Sequence, residues 1–456
     1  MIGSPRQARL APGLILQALF LAFSSHPVSA AQPAPAAPPD SGLTLQQAID
    51  RALARQPLVT AAAQRVRQAE FRLRGSLAFP STQLDIGHGQ ILTQPGATGA
   101  DQDLVITQRL EPFGQRRLRG QQSRRELEAA QASLSQVRAE TTFRVRSAYA
   151  AARAAAADEA LAREALRVAE SFHQLAQAQH EAGEVPVTNV LRSEIEVESA
   201  QQALLAARTQ SRIQQATLRA AMAEPPDGPL ALPPIAEVSL HTYDLAEVTA
   251  LARRQPALRA AEATLAARRT AVSVARSAAL PEVTFQAAHD QLQDWPGGHT
   301  VWLGFTFPIW DHGAIRAAVG EARAAVAEQE ANVAVLRQQA ELDVTTAFYG
   351  LEQARELVRR TGGEQLQRAR RLYELEQLSY SEGLTSYLDL LDAQQVLRTA
   401  LTAYLRAMAG YETAEAALER ALGVPLPAAK STEPARYMPP VLEMPPAPPP
   451  GRGRQP

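Results

Sequence analysis

Along the C-terminal half of the chain the apolar positions step by three, four or seven. They run Ile315, Val319, Ala322, Val326, Val333, Leu336, Ala340, Val344, Ala347, Leu351. That spacing predicts a long helix from Ile315 to about Tyr380 with a coiled-coil seam on one face. Many of the seam residues are alanine, which lets neighbouring helices approach closely. An earlier stretch, Arg116 to about His180, contains no proline and a single glycine, Gly120. As one helix its ~65 residues would extend about 100 Å, too long to fold back into an ordinary globule, so such helices must pack side by side. Between the helical stretches the period changes to two. Val301, Leu303, Phe305, Phe307 and Ile309 alternate with Trp302, Gly304 and Thr306, and Val283, Phe285 and Ala287 alternate with Thr284, Gln286 and Ala288. Strands are expected at about 82–92, 102–111, 282–292 and 300–309, joined by the glycine-rich turns QPGATGA and DWPGGHT. The second of them is the least regular, and Arg109 has no evident face there.

The same pattern occurs twice. Gln56-Pro57 answers Gln255-Pro256, Pro80 answers Pro281, Pro112 answers Pro308, Tyr149 answers Tyr349 and Gly183 answers Gly383, at offsets of 199, 201, 196, 200 and 200 residues. Five markers in order indicate a tandem duplication, with repeats at 43–222 and 243–424. A proline-rich linker at 223–242 separates them. A Pro/Ala-rich leader at 31–42 and a proline-rich tail at 425–456, expected to be disordered or extended around the helices, flank them. Each repeat reads as helix, strand, turn, strand, long helix, turn, helix.

The first thirty residues carry Arg6 and Arg9, then the apolar run LAPGLILQALFLAF, then small residues ending at Ala30. This is the pattern of a secretory signal peptide spanning 1–30, and the apolar run is short for a membrane-spanning helix. No later stretch is long and apolar enough for one. Four strands cannot close a membrane barrel alone, since the smallest have about eight. Pooling the strands of two chains gives about eight and a filled interior, whereas three chains give about twelve and a passage. All three tryptophans, Trp295, Trp302 and Trp310, fall on or beside one hairpin, as expected of an interfacial aromatic girdle. A soluble sheet capping a helical rod fits the same alternation.

Composition narrows the function. The chain has 456 residues, a formal net charge of −1, 5% aromatic residues and no cysteine. The charge balance does not suggest nucleic-acid binding. The lack of cysteine removes disulfides, thiol catalysis and cysteine metal sites. No phosphate loop, nucleophile elbow or metalloprotease helix is present. No catalytic chemistry and no cofactor are therefore expected.

With the duplication in view, the segments LTLQQAIDRALARQP and GLTSYLDLLDAQQVLRTALTAYLRAMAGYETAEAALERALG make the chain resemble the TolC family of outer-membrane efflux proteins, over about Leu43 to Val424. The resemblance implies a mainly α fold with a small transmembrane β part. Duplicated coiled-coil helices and four strands per chain would trimerise into a 12-stranded outer-membrane barrel on a periplasmic helical tunnel. It further implies a homotrimer set in outer-membrane lipid, an inner-membrane pump and a periplasmic adaptor at the lower end of the tunnel. ITQRLEPFGQRR leans toward the heavy-metal efflux branch, whose pumps are of the resistance-nodulation-division type. The turns at Gly183 and Gly383 would be the periplasmic tips. The constriction aspartates of the family fall on Asp389 and Asp392, and their first-repeat counterparts are Asn189 and Arg192. Threefold symmetry would make the two aspartates stacked carboxylate rings that attract cations and set the pore width. Arg192 would pair with a neighbouring acid and hold the tip closed. Spacing alone also reads Ser386 and Asp389 as a helix cap, and both roles can hold at once for Asp389.

Other constellations are weaker. His173 and His180, seven apart, share a helix face without further ligands, and His289, Asp290 and His299 sit on one hairpin as surface residues. Two alternatives to an efflux duct remain open at this level: the duct of a type I protein secretion system, and a periplasmic coiled-coil spacer that carbonate or salt would release from membranes.

Overall fold

In the computed structural model the residues described are 42–94, 97–183, 185–228, 230–235, 237–292, 298–382, 384–424 and 426–436. The signal peptide, all but the last residue of the leader, Gly383, Trp295 and the tail beyond 436 lie outside them. The unit beginning at Gly42 is described by itself.

Each repeat starts with a short helix and a second one that begins at a proline after a non-helical glutamine. α1 (Leu45–Arg55) is closed by a reciprocal cap, the Thr44 hydroxyl accepting from Gln47 N–H while the Gln47 side chain accepts from Thr44 N–H. It is followed by α2 (Pro57–Leu77). Proline fills the first helical position of α2, where no N–H is needed, and holds Gln56 in an extended conformation. The Gln-Pro markers are therefore helix starts.

β1 (Gln83–Gln94) and β2 (Ala97–Leu110) follow as an antiparallel pair. β2 is longer than its alternation suggested. The chain then turns through Gly114, whose φ of +85° needs a residue without Cβ, into α3 (Gln115–Glu181). α3 has 67 residues, about 100 Å of helix. Its buried face is largely alanine, including Ala148, Ala152, Ala155, Ala162, Ala165 and Ala169. α4 (Val187–Ala221) returns along it.

The second repeat begins with α5 (Leu245–Ala252) and α6 (Pro256–Ser277), then β4 (Glu282–Leu292) and β5 (Gly298–Thr306). Among the described residues the strands of both repeats form one antiparallel sheet in the order β1-β2-β4-β5, open at both edges. α7 (Ala314–Arg359) then leads through a π-helical turn (Arg360–Gln365) into α8 (Leu366–Ser381), and α9 (Tyr387–Leu422) returns. All ten seam residues of the predicted helix are buried or half-buried. The π turn, which periodicity did not reveal, carries Gly362 and Gly363.

The duplication is visible in the packing. Six buried positions of the first repeat, Ser193, Ala200, Leu204, Ser211, Leu218 and Met222, have buried counterparts 200 residues on, at Ala393, Ala400, Tyr404, Tyr411, Leu418 and Leu422. The markers are not all equivalent, however. Tyr149 is buried and donates to the Leu43 carbonyl at 2.8 Å, whereas Tyr349 is exposed.

A further pair of strands has no precedent in the sequence pattern. β3 (Glu237–Thr242), at the end of the proline-rich linker, pairs antiparallel with β6 (Ser431–Arg436), at the start of the tail. Val238, Leu240 and Ala435 bury one side of this ribbon in the main core with α7, α8 and α9. Pro434 is tolerated because β6 is an edge strand.

Candidate functional site

The two tips are built by different local chemistry. α3 ends at Glu181 and the chain reverses at Gly183, whose φ is +76°. Gly183 N–H donates to the His180 carbonyl at 2.8 Å, and the His180 Nδ1–H donates to the Val185 carbonyl at 2.9 Å. α4 then starts after Pro186 with no side-chain cap. The second tip is capped. Ser386 N–H and the Ser386 hydroxyl both donate to Asp389 Oδ2, at 3.0 and 2.7 Å, and Asp389 N–H donates back to the hydroxyl at 3.4 Å. These bonds hold the Asp389 carboxyl below its ordinary range, so it stays anionic into mild acid. Gly383 itself is outside the described residues.

Asp389 and Asp392 are both exposed, while Leu390, Ala393 and Leu397 are almost completely buried. The first turns of α9 thus pack one face against the protomer and present two carboxylates on the other, about 4.5 Å apart along the axis. In the first repeat Asn189 is half-buried at the start of α4, and its N–H donates to the Pro186 carbonyl at 3.0 Å. Arg192 is exposed and has no ion-pair partner among the described residues of its own chain. The structure brings Asp389 and Asp392 together on one helix face; it shows no contact from either to Asn189 or Arg192 within the described residues.

Near the tip, His173 and an aromatic pair tie the helices together. His173 Nδ1 lies 2.9 Å from the buried Ser193 hydroxyl, and Gln177 Nε2 lies 2.8 Å from His173 Nε2. Because Ser193 Oγ already donates to the Val190 carbonyl, His173 Nδ1 is the donor to it and Nε2 the acceptor from Gln177. His173 is thereby occupied in joining α3 to α4. Phe172 meets Tyr380 edge to face, with centroids 6.4 Å apart, joining α3 to α8. Spacing gave no sign of the contacts between helices, His173 to Ser193 and Phe172 to Tyr380, whose partners lie 20 or more residues apart.

At the other end, register sorts the sheet into two faces. Leu84, Ile86, Leu104, Ile106, Phe285, Ala287, Val301 and Leu303 share one face and are wholly or partly exposed. The opposite face carries Asp85, Thr107, Arg109, Thr284, Gln286 and Thr300. Arg109, unplaced by its alternation, lies on this polar face and pairs with Glu282 at 3.4 Å. Trp302 is a correction. It was expected among the interfacial aromatics, but it alternates with Val301 and Leu303 onto the polar face, where its ring covers Gly304 so closely that an added Cβ would collide with it. Trp310, beyond the end of β5, is 82% exposed. His289 and His299 stack with centroids 4.7 Å apart on the apolar face.

Known proteins are similar to this chain in sequence or in fold. The pyoverdine export outer membrane protein OpmQ of Pseudomonas putida is 26% identical over 409 residues, covering 83% of this chain and 85% of that one. Among solved structures, CusC superposes with a TM-score of 0.70 at 18% identity, covering 84% of this chain and 92% of that one. The open-state MtrE outer membrane channel of Neisseria gonorrhoeae gives 0.68 at 21%, covering 83% and 89%. The profile of the family described as outer membrane efflux protein matches twice, at residues 48–224 and 248–424. With both repeats matched, the chain belongs to the outer membrane efflux protein family.

Proposed function

We propose that the two carboxylates at the start of α9 form the periplasmic gate of this outer-membrane efflux channel. The protein is the outer-membrane component of a tripartite efflux system, and its helices form the periplasmic tunnel. The observation that carries the gate reading is the division of α9 at its first turns: Leu390 and Ala393 anchor one face and leave Asp389 and Asp392 unburied on the other. In a trimer these would make two stacked rings of three carboxylates across a narrow axis. Such rings concentrate cations and repel anions, and their width follows the inclination of α9. The capping role of Asp389 is compatible with this, because only one of its oxygens is engaged by Ser386. Arg192 has no acid to pair with among the described residues of its own chain, which favours a partner on the adjacent protomer in the closed state. A periplasmic adaptor would meet the tips, and an inner-membrane pump, of the resistance-nodulation-division type on the LEPFGQRR resemblance, would supply the energy. No residue of the tip is assigned a catalytic part.

The test is single-channel recording of the purified protein in planar bilayers. Asp389→Asn/Asp392→Asn removes both charges, while the amide oxygen introduced at position 389 can still accept from Ser386 N–H, so the cap survives. The expected outcome is a conductance several-fold above wild type and a weakened cation preference. Unchanged conductance and reversal potential would leave Asp389 as a cap alone and reject the gate. Arg192→Glu is expected to raise closed-state conductance on its own.

A further inference from the structure

At one end of the four-stranded sheet all four connections to helices meet: α2 into β1, β2 into α3, α6 into β4 and β5 into α7. The charge there departs from that of the chain. Residues 74–83, 108–119, 274–284 and 305–316 hold seven arginines against three carboxylates, in a protein of net charge −1. Every one of those carboxylates is already engaged. Glu111 binds Arg119 through both oxygens, Glu282 pairs with Arg109, and Asp311 accepts from the N–H groups of Gly313 and Ile315 at the start of α7. Arg316 lies in the field of Asp311, and Arg74, Arg116, Arg117 and Arg276 are left without a carboxylate partner among the described residues. Arg74 stacks near the ring of Phe71 at 5.4 Å, and Arg116 lies over the ring of Phe79 at 4.1 Å. Both rings are 65% exposed, and Phe113, Phe307 and Trp310 beside them are also exposed.

We propose that this collar binds anionic phospholipid headgroups of the periplasmic leaflet. The sheet enters the outer membrane and the helices leave it on the periplasmic side, so the collar falls at the headgroup level of that leaflet. A headgroup layer is on the order of 5–8 Å deep. Arg116 and Arg117 lie within about 3 Å, Arg276 within about 2 Å and Arg74 within about 5 Å of the ends of their helices, at 1.5 Å per residue, so one layer takes in all four. Aromatic rings at this level suit the boundary between acyl chain and headgroup, and uncompensated guanidinium groups fit phosphate through two parallel N–H donors. The occupant is thus a lipid bearing net negative charge, such as phosphatidylglycerol. A zwitterionic lipid offers its phosphate together with a cation that these arginines repel.

The measurement is fluorescence quenching of Trp310 in the full-length protein carrying Trp295→Phe and Trp302→Phe. The protein is reconstituted in phosphatidylcholine vesicles with increasing brominated phosphatidylglycerol, or with brominated phosphatidylcholine as reference. The expected result is a preference for phosphatidylglycerol of at least about fivefold, weakened by salt, that falls to near unity in R116Q/R117Q/R276Q. A heat-resistant oligomer and wild-type conductance of that variant establish that it still folds and inserts. Equal quenching by the two lipids in the unsubstituted collar overturns the proposal. A preference that survives the triple substitution overturns it too, because the anionic lipid is then held elsewhere. Retained binding of a co-purified protein at the collar in place of lipid, seen as Trp310 shielded from both lipids, has the same effect.

Discussion

Two adjacent glycines show how much a single Cβ can decide. Gly362 and Gly363 interrupt a helix that the apolar seam would carry through, and the backbone there widens into a π turn. A Cβ on Gly362 would collide with Cε2 of Tyr404, whereas one on Gly363 meets nothing within 4 Å. Tyr404 cannot yield easily: it is buried, and its hydroxyl donates to the Arg436 carbonyl of β6 at 3.2 Å. Gly362→Ala is therefore expected to cost about 1–3 kcal/mol by overpacking. Gly363→Ala is expected to be neutral or to stabilise by up to about 1 kcal/mol through the helix preference of alanine. Thermal unfolding of the two variants side by side checks this, and equal melting temperatures would remove the steric account of the π turn. Asp389 illustrates the other limit of residue-level reading. Ser386 three positions before it makes the cap legible in the sequence. A ring of carboxylates needs a symmetry axis that no single chain encodes, and spacing alone could not choose between the two roles.

Among the elements, the long helices and the main sheet were legible because their periods repeat over many residues. The seam from Ile315 to Leu351 is buried or half-buried at every position named from it. The β3–β6 ribbon was not, since its strands have six residues each, β6 contains Pro434, and the two pair across almost 200 residues. The face of Trp302 was misjudged for a related reason: its aromatic character pointed to lipid, but a one-residue alternation assigns it to the other side. Equally hidden was a ladder of ion pairs joining α3 to α9: Glu140 with Arg420, Arg146 with Glu419, Arg153 with Glu412, and Asp158 with Arg406. Burial pushes the carboxyls of Glu412 and Asp158 above their ordinary values, against the attraction of their arginines. A group that holds its proton more tightly when folded favours the fold below its unfolded pKa. That contribution is lost as pH rises through the raised folded value. A glutamine side chain has no such proton to lose. The melting temperature of Glu412→Gln relative to wild type is therefore expected to rise between pH 4 and pH 7, and a pH-independent difference would contradict the burial argument.

For the whole molecule the open sheet sets the assembly. β1 and β5 are its edges, each with a row of backbone groups unpaired within the chain. The four strands alternate in direction, so β5 of one copy meets β1 of the next antiparallel, and the alternation continues without a break around a ring. Three copies give the 12-stranded barrel, and its polar face, with Asp85, Arg109 and Gln286, turns to the lumen while Ile86, Ile106 and Leu303 meet lipid. Because the chain has no cysteine, the closure can be tested on a clean background. Cysteines placed at Gln83 or Asp85 on β1, each combined in turn with one at Thr300 or Thr306 on β5, sample the stagger that barrel tilt imposes. A disulfide forms only when Cβ atoms come within about 4.5 Å, so the correct register alone should cross-link. A closed ring of three predicts that oxidation in membranes carries that variant through covalent dimer to covalent trimer and no further. Species beyond trimer would mean that the edges propagate instead of closing. Failure of every pair in membranes, with an intact oligomer, would mean that β1 and β5 do not meet and that some other contact joins the protomers.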